Sequence, residues 1–316
     1  MELMHPSNAV CVVVPVLNEA RYVAAAMDSL MRQDYQPLEI KVFDGGSTDG
    51  TLEILRRYPV EVNVVKNLGQ MAAINRGWKE STAPFLMWFA ADDLLLPGGI
   101  SRLANELARR SEAGFVHADM DVLDAEGKRV STIKTHDVTL ADLVLEFGIM
   151  PQSTMIRRSA LEVSGMMDER RRLAADWDLF LRLLQYSAGH HVEFTPAARR
   201  IHAGSEDVQD SRASADAIMD VMDSFFKRPD LTPSQTKLRK TAFASSRAAA
   251  ALLYCNSRES RQSRKLFWEA CRSDASVLWR SRPGRHLLPS LVARSIMGLE
   301  AFKSFQASAR RVLSAK

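Results

Sequence analysis

Between Ala9 and Asp121, short runs rich in Val, Ile and Phe alternate with stretches whose apolar residues recur every three or four positions. The runs predict strands at 10–15, 39–44, 61–66, 85–90 and 114–118. Helices are predicted between them at 21–33, 48–58, 70–79 and 97–110; in the first, Val23, Met27, Leu30 and Met31 share one face. Such alternation specifies an α/β domain, a mostly parallel Rossmann-like sheet with helices on both faces.

After Asp121 the order changes. The pattern predicts a hairpin over 122–134, turning at Asp124-Ala125-Glu126-Gly127, then a helix from Thr139 and a strand at 153–157. A helix starting near Asp176 carries Leu179 to Tyr186, a strand follows at 191–195, and the polar 203–213 reads as loop. From Ala215 only helical periodicity remains, at 218–226, 234–256, 260–272 and 289–313, with small residues concentrated over 242–251. The expected organisation is therefore an α/β domain over 1–205 and an all-helical extension over 215–316.

A chain of 316 residues that is 46% apolar can bury a core of this size. Its three cysteines, Cys11, Cys255 and Cys271, form neither a CxxC nor a Cys/His cluster, which argues against structural disulfides and zinc. The polar opening from Met1 to Ala9 lacks a signal-peptide pattern and no stretch of about 18 apolar residues occurs, so the expectation is a cytoplasmic protein without a membrane span.

Charge is divided along the chain. Residues 227–316 hold 19 of the 42 Lys and Arg but 5 of the 38 Asp and Glu, so an acidic front precedes a basic rear. A basic helical rear carrying Trp279, Arg280, Arg282, Arg285 and Leu287-Leu288 suits peripheral attachment to an anionic membrane surface at its inner face.

Two strand ends carry the candidate chemistry. Trp88-Phe89-Ala90-Ala91-Asp92-Asp93 runs from a buried strand onto adjacent carboxylates, whose mutual repulsion favours a cation nearby. Val42-Phe43-Asp44-Gly45-Gly46-Ser47-Thr48-Asp49-Gly50 ends another strand, and open sheets bind ligands at such carboxyl ends. Glycines there let a ligand approach the backbone, while Asp44 can accept hydrogen bonds from a base or ribose. A third junction, Pro15-Val16-Leu17-Asn18-Glu19, leads from strand to helix. Neither GxxxxGK[ST] nor GxGxxG occurs, and no basic glycine-rich loop of the kind a nucleotidyltransferase needs follows the first strand.

In order along the chain, these segments together with Asn67-Leu68-Gly69-Gln70, Ala73-Ile74-Asn75-Arg76-Gly77 and Ala174-Ala175-Asp176-Trp177-Asp178 resemble the family 2 glycosyltransferases of GT-A fold. The resemblance covers roughly residues 9–205. It implies an inverting transferase of hexosyltransferase type that uses a nucleotide-sugar donor and a glycan or lipid-linked acceptor, with no nucleic-acid partner. By the same resemblance Pro15, Leu17, Glu19 and Gly69 line the nucleotide pocket, Asp44 reads the base, and Asp92 and Asp93 face the diphosphate. Mg²⁺ or Mn²⁺ is implied on Asp92, with His202 reaching the same ion. Asp176 matches the catalytic base, and Gln152 matches an acceptor-side glutamine of a subgroup with a Gly-Gln motif. Trp177 offers either a ring on which the acceptor sugar can stack or, equally, a core side chain.

Two positions depart from the family pattern. Ala90 stands where relatives carry an acid or asparagine, and Ala175 stands where glutamate often precedes the base. These losses keep a second expectation open, a non-catalytic sugar-nucleotide-binding or scaffold protein of the same fold.

Overall fold

A computed structural model describes residues 8–202, 204, 211–257, 259–281, 283 and 285–286. Arg282, Leu287, Leu288 and the helix expected at 289–313 lie outside the described residues. The chain divides into two compact units, one of residues 1–139 and 148–202, the other of 140–147 and 203–316.

The first unit is a nine-stranded sheet. Its strands are β1 (Val10–Val16), β2 (Leu38–Asp44), β3 (Glu61–Val64), β4 (Phe85–Trp88), β5 (Leu94–Leu95), β6 (Ala113–Leu123), β7 (Arg129–Ile133), β8 (Thr154–Arg157) and β9 (Ala188–Arg200). Helices α1 (Val23–Met31), α2 (Thr51–Leu55), α3 (Gln70–Glu80), α4 (Gly99–Arg109), α6 (Arg158–Ser164) and α7 (Ala175–Tyr186) belong to the same unit. Spatial order is β3-β2-β1-β4-β8-β6-β9-β5, with β7 on β6. Strands β3, β2, β1 and β4 are mutually parallel, as the alternation implies. Beyond β4 the sheet is mixed. Strand β8 inserts antiparallel between β4 and β6, and β9 runs parallel to β6, so the strand predicted at 114–118 is not the direct neighbour of β4.

Every residue of β1 is buried because both faces of the sheet are covered. Val10, Val12, Val14 and Val16 join a core with Met27, Leu30, Ile100 and Leu103, whereas Val13 faces the opposite way, toward Gly77 of α3. A Cβ on Gly77 would lie 2.5 Å from Val13 Cγ2, so only glycine lets α3 settle this close. On the other half of the sheet a line of rings anchors α7: Phe180 lies 5.1 Å from Phe115 and 6.1 Å from Trp88, and Trp88 meets Trp78 edge-on.

In the second unit α5 (Leu140–Leu143) accompanies α8 (Ser211–Phe225), α9 (Pro233–Thr236), α10 (Arg239–Asn256), α11 (Ser260–Asp274) and α12 (Val277–Arg280). Ala244, Ala248 and Ala251 of α10 pack with Tyr254, Leu266 and Phe267, which is why the small residues cluster where they do. Ser245 donates its hydroxyl to the Leu145 carbonyl, tying the 140–147 segment to these helices. The helix expected from Thr139 thus packs with the helical unit rather than with the domain whose sequence surrounds it. Among the described residues no helix is long and apolar enough to cross a membrane.

Candidate active site

Three loops at the carboxyl ends of β1, β2 and β4 hold most of the candidate site residues. The first two are laced together by hydrogen bonds between residues about thirty apart. Asn18 adopts φ +55, a left-handed conformation that asparagine tolerates better than most residues. There its N–H donates to Ser47 Oγ at 2.8 Å, and its Oδ1 accepts the Thr48 N–H at 2.9 Å. Glu19 N–H donates to Thr51 Oγ1 and Ala20 N–H to Asp49 Oδ2. Asp49 in turn accepts from the Thr51 N–H and hydroxyl, so the loop after β2 is held from within and from β1.

Asp44 is fully buried at the end of β2. Its Oδ1 accepts the N–H groups of Gly46 and Ser47, both at 2.8 Å, while Oδ2 has no hydrogen-bond partner among the described residues. An enclosed carboxylate oxygen without a donor is uncommon and marks a group with acceptor capacity to spend. Pro15 is buried in β1, whereas Leu17 at the mouth of the loop is 55% exposed despite being apolar. Gly69 precedes α3 in open space, with nothing within 4 Å of where a Cβ would stand.

The loop after β4 brings Asp92 to His202, whose Nε2 lies 3.1 Å from Asp92 Oδ2. The His202 ring also packs on Tyr22, centroid to centroid 4.7 Å. Glu19 belongs to this cluster. Burial and the neighbouring charge of Asp92 push its carboxyl up to about 7, with His202 acting in the opposite direction. Glu19 therefore connects the two acidic strand ends, its backbone bonded to the Asp44 loop and its carboxyl in the field of Asp92.

Asp93 departs from the sequence expectation. Only 1% of it is exposed, and its Oδ1 accepts the Arg200 N–H at 2.9 Å. Burial, and then the charge of Asp92, raise its pKa, and the side chain is enclosed in the wall of the loop. Arg200 is a supporting residue that the sequence pattern does not single out. It donates Nε to the Asp92 carbonyl at 3.1 Å and lies over the Tyr22 ring at 4.9 Å, bracing the loop that presents Asp92. Contacts spanning more than a hundred residues leave no local signal, which is why pattern reading misses them.

Asp176 opens α7 immediately after Ala174, whose φ of +56 is strained for a residue with a Cβ. Its Oδ1 accepts the Trp177 N–H at 2.8 Å. Helix α7 ends against the start of β6, where a Cβ on Gly114 would collide with Ser187 Oγ. With Phe180 on Trp88, the last residue of β4, the first turn of α7 lies toward the carboxyl ends of the strands, on the side of the sheet where Asp92 emerges. Buried Arg182 fixes the approach to the helix: it pairs with Asp178 at 2.7 Å and donates to the carbonyls of Ser164, Gly165 and Met166.

Trp177 follows the second of its two readings. With 7% of its surface exposed it is part of the packing, not an open stacking platform. Gln152 sits half-buried in the 3-10 turn Pro151–Ser153 that leads into β8.

A divalent ion would find two donors here rather than a cage, since among the described residues no group of three His, Cys, Asp or Glu is arranged to hold a metal. The pair still fits one. Adjacent corners of an octahedron with metal–ligand legs of about 2.1 Å are about 3 Å apart, and such ions commonly take only one or two protein ligands with substrate phosphates. The 3.1 Å between Asp92 and His202 meets that spacing.

Residues 11–165 match the family model described as Glycosyl transferase family 2. The glycosyltransferase YwdF of Bacillus subtilis strain 168, itself uncharacterised, is 26% identical over 207 residues, covering 62% of this chain and 75% of that protein. Residues 1–349 of S. aureus TarS, solved in complex with UDP-GlcNAc, superpose with a TM-score of 0.64 at 16% identity, over 96% of this chain and 91% of that one. The mannosyltransferase PcManGT from Pyrobaculum calidifontis, in complex with GDP-Man and Mn²⁺, gives 0.60 at 16% identity, over 97% and 85%. At such identities the two structures speak for the fold.

Proposed function

We propose, taking as premise that this chain belongs to the family 2 glycosyltransferases, that it moves a sugar from a nucleoside-diphosphate donor to a hydroxyl of a glycan or lipid-linked acceptor with inversion at the anomeric carbon. The observation that carries this reading is the convergence of the Asp44 loop, Glu19, Asp92 and His202 at neighbouring strand ends. The unspent Oδ2 of Asp44 suits a donor N–H of the base, and the open backbone at Gly69 suits close approach by the nucleotide.

Asp92 and His202 would hold Mg²⁺ or Mn²⁺. When bound, that ion supplies positive charge to the diphosphate as it leaves. Asp176 is assigned the general base: it takes the proton of the acceptor hydroxyl as the oxygen attacks the anomeric carbon. The bond from that carbon to the diphosphate oxygen breaks on the opposite face, which inverts the configuration. Ala90 and Ala175 remove two polar groups from this arrangement without touching Asp92 or Asp176. A lipid-linked acceptor would bring the enzyme to the cytoplasmic face of a membrane.

The reading is tested by incubating the protein with Mn²⁺ and a panel of sugar nucleotides, following nucleoside-diphosphate release and thermal stabilisation together. Metal-dependent release that Asp176→Asn abolishes supports transfer. Stabilisation by a donor without release, by the wild type and with every acceptor preparation tried, would favour the non-catalytic binding protein that Ala90 and Ala175 suggest.

A further inference from the structure

Helix α11 packs Ser263, Leu266, Phe267 and Ala270 inward. On the other side Arg261, Arg264, Lys265, Trp268 and Arg272 stand at i, i+3, i+4, i+7 and i+11, which places them within one stripe of about 100°. All five are exposed, and 59% of the Trp268 surface is open although tryptophan is the costliest side chain to leave in water. Among the described residues none of the four cations has an ion-pair partner. Elsewhere in the same unit Lys227, Arg228 and Arg247 do find acids.

The stripe leads through Arg272 into a cavity of about 520 Å³, which Lys237, Arg239, Lys240 and Phe243 line with it. Arg239 lies over the Phe243 ring at 5.4 Å, which fixes one cation in place at the rim. The cavity also opens at the first turn of α10, where no acid offsets the helix dipole.

We propose that this face of the helical unit docks on an anionic phospholipid bilayer, with Trp268 at the headgroup level and a lipid phosphate in the Lys237–Arg272 cavity. Charge complementarity decides for lipid over other occupants. A lone aromatic amid cations satisfies an interface that is apolar below and anionic above. A protein partner of ordinary size would need a larger apolar centre than one ring. The inference rests on the reading of a lipid-linked acceptor for its place in the enzyme's work, yet its test requires no sugar transfer, so either can fail without the other.

The test is co-sedimentation of the full-length protein with vesicles of phosphatidylcholine alone or with about one third phosphatidylglycerol. Binding is expected only to the anionic vesicles and should fall as salt rises. Reversal of three charges in Arg261→Glu, Arg264→Glu, Lys265→Glu should weaken it at least about 100-fold, at about fivefold for each positive charge lost and more for each negative charge gained. In a Trp279→Phe background, tryptophan emission should shift to the blue on binding, and Trp268→Phe should abolish the shift. Lys240→Glu with Arg272→Glu should weaken vesicle binding, while millimolar inorganic pyrophosphate should compete for the cavity. Competition by pyrophosphate without vesicle binding would make the cavity a site for a soluble phosphate and overturn the lipid assignment. So would vesicle binding unaffected by the triple variant, or preferential binding to heparin or an acidic protein. Circular dichroism of each variant guards against loss of fold.

Discussion

His202 Nε2 lies 3.1 Å from Asp92 Oδ2 across 110 residues of chain, and the Tyr22 ring beneath the histidine holds it there. If the pair is the protein's share of a metal site, Asp92→Asn should lower transfer at least about 100-fold, and His202→Ala about 10- to 100-fold with weaker Mn²⁺ binding. Mn²⁺ titration of donor turnover reads both effects. Equal Mn²⁺ affinity in wild type and both variants would remove the metal from this pair.

Adjacent carboxylates should behave differently. Asp93 is enclosed and its neutral form is favoured by burial and by the charge of Asp92, so asparagine, which matches a protonated carboxyl in shape, should be tolerated. Asp93→Asn is expected to keep turnover within about tenfold of wild type, the effect of one modest hydrogen-bond change. A loss as deep as that of Asp92→Asn would return Asp93 to the site.

These two positions also show what could be read from the sequence. The strands that lead to Asp44 and Asp92, the parallel order of the first four strands and the helix opening beside Asp176 follow from periodicity and from acids placed after apolar runs. Which acid meets His202 and which is enclosed does not follow, because Asp92 and Asp93 differ only in the direction the loop turns, and that is set by Arg200 from more than a hundred residues further along the chain. The insertion of β8 between β4 and β6 escapes for a related reason: four residues of strand carry no record of their neighbours. Trp177 reads equally as platform or packing until the fold encloses it.

For Asp176 the expectation separates binding from chemistry. Asp176→Asn keeps the side chain's shape and its acceptor toward the Trp177 N–H but cannot take a proton, so turnover should fall about 10²- to 10⁴-fold. Donor affinity by calorimetry should stay within about threefold, a change of less than 1 kcal/mol. Turnover that persists in the variant would place the base elsewhere.

Gly77 tests the packing beneath the site. An alanine Cβ there would lie 2.5 Å from Val13 Cγ2 and 3.0 Å from Phe43 Cε2, between two strands that carry the site loops. Overpacking of a filled core should cost about 1–3 kcal/mol, read as a lower denaturation midpoint at unchanged slope. Val13→Ala in the same chain should recover part of the loss, since it removes the methyl groups that collide.

His117 should make stability depend on pH. It lies on β6 with no exposed surface, and among the described residues neither ring nitrogen has a hydrogen-bond partner. Burial first, and then neighbouring His191, lower its pKa from 6.5 to about 4 in the folded chain. The unfolded chain takes up a proton near the ordinary value and the folded chain does not, so the stability present above pH 6.5 is lost as pH falls toward 4. The full difference is roughly 3 kcal/mol from this residue, reached only below the folded value. Urea denaturation at pH 7.5, 6 and 5 should show the decline beginning between the first two. His117→Leu removes the titrating ring at similar volume, and should flatten the decline without lowering stability at pH 7.5 by more than about 1.5 kcal/mol. An unchanged slope in that variant would assign the acid sensitivity to other groups.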